Sequence, residues 1–314
     1  MIANSERTVL VSSMGWVDHD ALWIYDVPAR RESRVPLGSG AKYLSLHLSQ
    51  PNYFVVGHHF DGARYEITVH RFSEPAQAIA RAVITQSESV LSGDSDSWKQ
   101  VPRLYVEYLR FFPWADFVLL SISPSLGLIE VQRLEWYDDT YDKGYQGIVG
   151  VLEIPGEGCA LVSVQRSSQL VMHDLETGKK TRAIDLAGRG GNPKLYFRAS
   201  AAELWASDYD TIVVVDRTNW AVTKRARLQQ AWAGTQQFIG DYSFAPDEQA
   251  CVVARPFSGD VVGIDPSSLK IKRRAKLGKQ PIEVAALPGN QVVSRDWKTG
   301  EVLQGKLERR WFTG

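Results

Sequence analysis

Runs of five to eight residues rich in β-branched and aromatic side chains recur along the chain, many alternating with polar positions and bounded by Gly, Pro, Asn, Asp or Ser. Among them are Val9–Ser12, Leu22–Val27, Tyr43–Leu48, Tyr53–His58, Glu66–Phe72, Leu104–Leu109, Phe117–Ser123, Leu128–Leu134, Leu161–Gln165, Leu195–Arg198, Thr211–Asp216 and Val292–Ser294. This pattern reads as strands. Helical periodicity is nearly absent, and only Glu74–Val83 (EPAQAIARAV) is helix-competent. Strands at this spacing without intervening helices predict an all-β, antiparallel fold.

One hairpin pattern repeats. Met172-His173-Asp174, Val214-Val215-Asp216 and Gly263-Ile264-Asp265 each end an apolar strand at an Asp, and twelve residues later comes Leu186, Leu228 or Leu277. Asp26 to Leu37 is the same unit one residue shorter. A single hairpin cannot bury its own apolar faces, so copies must stack. The closing leucines lie 42 and 49 residues apart. A unit of that size holding four strands is the mark of a propeller blade, and 314 residues divided by about 45 gives seven. The expected fold is therefore a seven-bladed β-propeller of four-stranded antiparallel blades, a single domain over residues 1–314. Its blades run over residues 8–38, 41–84, 98–145, 147–187, 193–229, 235–278 and 281–312. The first and last blades show only three clear strands, so the ring is expected to close by joining strands from both chain ends, which removes an exposed edge.

The strand-turn segments His173-Asp174-Leu175-Glu176-Thr177-Gly178-Lys179 and Val215-Asp216-Arg217-Thr218-Asn219, with Gly278 to Val284 leading into an innermost strand, resemble the bacterial YVTN/WD40-like seven-bladed propeller superfamily. The Gly57-His58 and Asp296-Trp297 dipeptides do not recur in the register of true WD40 repeats. The resemblance implies a fold. The superfamily hosts scaffolds, sugar-binding proteins, lactonases and quinoprotein subunits, so activity does not follow from it.

Composition adds little. Apolar residues are 44%, charged residues 23%, and Lys plus Arg equals Asp plus Glu at 36 each, so bulk charge points to neither nucleic acid nor membrane. No apolar run is long enough to span a bilayer as a helix. The first residues lack the basic and apolar regions of a signal peptide. Cys159 and Cys251 sit in strand-like apolar runs and read as small buried hydrophobes. A cytoplasmic setting is expected.

The most unusual local run is Trp136-Tyr137-Asp138-Asp139-Thr140-Tyr141-Asp142-Lys143-Gly144-Tyr145, where aromatics interleave with carboxylates in a loop between the third and fourth blades. Aromatic faces stack on sugars or a partner's apolar anchors, and carboxylates accept hydrogen bonds from hydroxyls or Arg. Trp136, Tyr137, Asp138, Asp139, Tyr141, Asp142 and Tyr145 are the candidate binding residues. The aspartates lack calcium-loop spacing. Four of the six histidines, His47, His58, His59 and His70, fall in the second blade. They read as structural, with His47 and His70 the pair expected on one face. Lys270, Lys272, Arg274 and Lys276 alternate along an outer strand, and Arg182, Lys224 and Arg273 recur four residues before the closing leucines. Such charges protect exposed sheet edges from pairing with other chains. No nucleophile elbow, zinc-protease, phosphate-loop or Cys-x-x-Cys motif is present. The reading is a non-catalytic binding platform for a protein partner, with no cofactor, no metal, no nucleic acid and no membrane. Its alternatives are a lactonase-like hydrolase, with or without a divalent metal, and a carbohydrate-binding propeller.

Overall fold

The computed structural model describes residues 1–13, 20–41, 43–50, 52–59, 64–85, 103–111, 114–123, 128–134, 148–154, 156–164, 168–174, 177, 179–188, 194–228 and 238–309. Among these the helical content is two 3-10 turns, Ala199–Ala201 and Pro288–Asn290. Contacts divide the chain into two compact units, Met1–Asp138 and Asp139–Gly314.

The first unit holds three antiparallel sheets. The first is β1 (Ile2–Ala3), β2 (Val9–Ser12), β3 (Ala21–Asp26) and β4 (Arg31–Pro36) in that order. The second is β5 (Tyr43–Gln50), β6 (Tyr53–His59), β7 (Arg64–Arg71) and β8 (Glu74–Thr85). The third has three described strands, β9 (Arg103–Phe111), β10 (Trp114–Ser123) and β11 (Leu128–Leu134). The helix-competent segment is β8. It pairs with β7 from Arg64 opposite Thr85 to Arg71 opposite Glu74. A ten-residue helix is marginal alone, and a whole strand of ladder bonds outweighs its propensity. Val11, Leu22 and Ile24 of the first sheet pack against Leu44, Phe54 and Val56 of the second.

The second unit holds four sheets. The fourth is β12 (Ile148–Ile154), β13 (Cys159–Val164), β14 (Gln169–Asp174) and β15 (Lys180–Asp185). The fifth is β16 (Leu195–Arg198), β17 (Glu203–Asp208), β18 (Thr211–Asp216) and β19 (Val222–Arg227). The sixth is β20 (Asp241–Phe244), β21 (Cys251–Arg255), β22 (Asp260–Ile264) and β23 (Ile271–Ala275), and the seventh is β24 (Pro281–Ala286), β25 (Gln291–Asp296) and β26 (Val302–Lys306). The last strand, β27 (Glu308–Arg309), pairs with Arg273 and Arg274 of β23 and makes the sixth sheet five-stranded. Among the described residues no sheet joins strands from both chain ends. The first sheet takes its fourth strand from its own leading residues Ile2–Ala3, and the C-terminal strand goes to the sixth sheet.

Consecutive sheets of this unit stack face to face. Leu204, Ala206, Val213 and Val215 meet the fourth sheet's Leu161, Leu170 and Met172. The alternate residues Trp205, Ile212 and Val214 meet the sixth sheet's Tyr242, Phe244, Val253 and Val262. Both faces of β18 are thus covered, which is why Ile212–Val215 is a continuous apolar run. The fourth strands, by contrast, are polar and largely exposed.

Candidate functional site

The aromatic loop carrying Trp136, Tyr137, Asp138, Asp139, Tyr141, Asp142 and Tyr145 lies outside the described residues.

In the second sheet the ladder brings together a different histidine pair from the expected one. His47 stands opposite Val55, whereas His70 stands one rung away, opposite Phe54. His58 and His70 instead share Thr68, each placing Nε2 2.8 Å from its Oγ1. His70 Nδ1 lies 3.0 Å from the Pro75 carbonyl, which can only accept, so Nδ1 carries the proton. His70 Nε2 then accepts from the Thr68 hydroxyl, and Thr68 accepts from His58 Nε2–H. Both imidazoles are buried, and His70 stacks on Phe54 at 5.3 Å. Burial lowers the His70 pKa to about 4, and burial lowers that of His58 too, against the pull of Glu66 and Asp20. These neutral, hydrogen-bonded rings are core parts. Among the described residues no group of three or more His, Cys, Asp or Glu is placed to hold a metal ion.

Of the recurring basic positions, Lys224 reaches inward to a buried cluster. Glu203 accepts from Lys224 Nζ at 2.6 Å, Arg198 Nη1 at 3.0 Å and Trp205 Nε1 at 3.1 Å. Burial pushes the Glu203 carboxyl up, but these three donors outweigh it and hold the group below its ordinary value. Cys159 and Cys251 are buried and unbridged, and burial pushes the Cys159 thiol up to about 11.

The outstanding surface of the second unit is at one end of the sixth and seventh sheets, where their second and third strands turn. Phe257 and Trp297 are the exposed large hydrophobics among the described residues, at 40% and 39%. Phe238, just ahead of β20, bridges them edge-on, with ring centroids 5.1 Å from Phe257 and 5.8 Å from Trp297. The three come from three separate segments, two of them turns, so no sequence window could group them. The turns are welded together. Asp296 accepts four backbone N–H bonds, from Lys279 and Gln280 at 2.6 and 2.7 Å and from Lys298 and Thr299 at 2.8 and 3.0 Å. Burial raises this carboxyl, yet the four donors hold it below its ordinary value. Trp297 N–H donates to the Gln280 carbonyl at 2.8 Å. Gly278, at φ +83°, lies so close that a Cβ would stand 2.6 Å from Asp296 Oδ2, and a Cβ on Gly259 would stand 2.9 Å from the Lys279 carbonyl. Arg255 grips Asp260 through two bonds, at 2.8 and 2.5 Å, and donates to the Leu228 carbonyl. The aromatic trio therefore rests on a braced floor. At the opposite end of the same two sheets a groove of 960 Å³ opens, lined by Pro246, Ile264, Leu287 and Leu307 with Asp247 and Arg273 among its polar residues.

No family model matches the sequence, and no curated protein matches it. Solved structures do. The β-propeller domain of Cps50 (Swd1) from Myceliophteria thermophila superposes with a TM-score of 0.68 at 12% identity, covering 98% of this chain and 96% of that one. A chain of the mitotic checkpoint complex superposes with a TM-score of 0.60 at 10% identity, covering 98% and 86%. With its seven described sheets, the chain has a WD40-like β-propeller fold. At these identities the likeness carries the fold and no activity.

Proposed function

We propose that this chain is a single-domain, non-catalytic propeller platform that binds a protein partner in the cytoplasm. The observation that carries the reading is the braced trio of Phe238, Phe257 and Trp297. Contiguous exposed aromatics on rigid turns are what a partner's apolar anchor uses, and Trp and Tyr dominate binding hot spots. That the mitotic checkpoint structure is a complex is consistent with a partner-binding role for this fold. Two buried, unbridged cysteines suit a reducing compartment. The loop of Trp136, Tyr137, Asp138, Asp139, Tyr141, Asp142 and Tyr145 is proposed as a second contact surface, on its aromatic and acidic composition.

Photo-crosslinking tests the reading. A photoreactive phenylalanine placed at 257, at 297, and at exposed Thr177 as control should capture one and the same protein at the first two positions and not at the third. With the photoreactive residue at 257, Trp297→Ala should sharply weaken capture, and with it at 297, Phe257→Ala should do the same, while the melting temperature holds. Adducts indifferent to position would remove the platform. Trp136→Ala with Tyr141→Ala, in the same assay, decides whether the second loop takes part.

A further inference from the structure

We infer that the segment docking on the Phe238–Phe257–Trp297 surface is an acidic peptide of a partner protein, Asp- and Glu-rich around a bulky apolar anchor. The inference rests on the platform reading and adds the partner's chemistry. Charge at this end of the two sheets carries it. Its buried acids are already engaged. Asp260 is held by Arg255 and Arg274, and Asp296 by four backbone N–H groups. Asp241, further in, is held by Lys194 and the amides of Tyr242 and Val284. The bases are not. Lys276, Lys279 and Lys298 are exposed and form no ion pair among the described residues, and Glu301 is the exposed acid of these turns. The outward charge is thus three lysines to one glutamate, in a chain whose total is zero.

The lysines flank the aromatics. Lys298 follows Trp297, and Lys279 sits in the loop that Asp296 ties to the Trp297 turn and that Gly259 presses against. A ligand seated on the trio comes within reach of these ammonium groups, so complementarity selects negative charge, with the apolar anchor supplying desolvated contact. Single-stranded nucleic acid is the other polyanion with an apolar component. It needs ring faces open for base stacking. Here Phe238 meets Phe257 at 84° and Trp297 at 61°, so the rings meet edge to face instead of lying parallel.

Fluorescence anisotropy with the full chain decides the matter. The probe is a fluorescein-labelled dodecapeptide of Asp and Glu around a central Leu-Trp pair. We expect saturable binding, about tenfold weaker when Leu-Trp becomes Ala-Ala, about tenfold weaker for Trp297→Ala, and similarly weakened by Lys279→Glu with Lys298→Glu. Raising salt from about 50 to about 200 mM should weaken it several-fold. Absence of saturable binding, equal binding of the Lys-rich counterpart, or indifference to both variants overturns the inference, and so does tighter binding of oligo-dT. Circular dichroism keeps folding failure apart from lost contact, since all three substituted side chains are exposed. If position-specific crosslinks at 257 and 297 map to a neutral or basic segment of the captured protein, the acidic chemistry falls and the platform stands.

Discussion

Thr68 makes one hydroxyl serve two imidazoles. The Pro75 carbonyl fixes His70 with its proton on Nδ1, the hydroxyl donates to His70 Nε2, and the same oxygen accepts from His58. His58 Nδ1 is left buried without a hydrogen bond. Protonating His70 would turn its accepting Nε2 into a second donor facing the hydroxyl, which is one physical reason for its low pKa beside burial. The consequence for stability has a definite sign. In the unfolded chain histidine takes up its proton near pH 6.5. The folded His70 refuses it until about pH 4, so stability is lost as pH falls from about 6.5 to about 4, by about 3 kcal/mol for this group. His58, also lowered, acts in the same direction. Urea unfolding across that window should show the loss, and His70→Gln should flatten it relative to the parent protein. Thr68→Val removes the shared hydroxyl and should destabilise by about 2–4 kcal/mol at neutral pH. An unchanged midpoint would mean that the relay contributes nothing.

The hairpins were legible because one side chain writes them. Asp174 accepts from the amide of Thr177 at 2.7 Å, Asp216 from Thr218 at 2.7 Å, and Asp265 from Ser267 at 2.8 Å, each closing a turn locally. The leucines that follow are sequestered, Leu186 and Leu228 in the core between sheets. Asp296 to Leu307 repeats the pattern at the eleven-residue spacing of Asp26 to Leu37, but between the second and third strands of its sheet, a shift that local chemistry cannot reveal. Long-range pairing also decided β8 and β27. A helix-competent segment became a strand because β7 needed a partner, and the C-terminal strand capped β23. The candidate site was less legible than the fold. A contiguous loop attracts attention in sequence, whereas Phe238, Phe257 and Trp297 converge only through folding. Asp296 ties the Trp297 turn to the Lys279–Gln280 loop. Asp296→Ala strands four amides and should cost about 3 kcal/mol in denaturant midpoints. Gly278→Ala should also destabilise, by about 2 kcal/mol, since it demands positive φ and pushes a methyl into the same carboxylate. Equal stability of Gly278→Ala and the parent would show that the loop yields freely.

Across the chain, balance is the governing fact. Apolar faces are consumed in pairs as sheets stack, acidic and basic side chains cancel at a sequence pI of 7.0, and what is left over is local. A molecule without net charge has little long-range self-repulsion near pH 7, so its colloidal behaviour there is set by whatever sticky surface remains. Among the described residues the exposed large hydrophobics of that surface are Phe257 and Trp297, with half-buried Phe238 between them. The osmotic second virial coefficient from static light scattering should therefore be lowest near pH 7. It should rise at about pH 5.5 and about pH 8.5, as net charge of either sign develops. Phe257→Glu with Trp297→Glu removes the apolar contact and leaves a net charge of about −2, so the coefficient at pH 7 should become clearly more positive. Phe257→Ser with Trp297→Ser separates the two effects, because it deletes the aromatics and leaves charge untouched. If the serine variant also turns repulsive, the trio is the adhesive surface of the molecule. If only the glutamate variant does, charge alone governs self-association and the exposed rings are inert in solution.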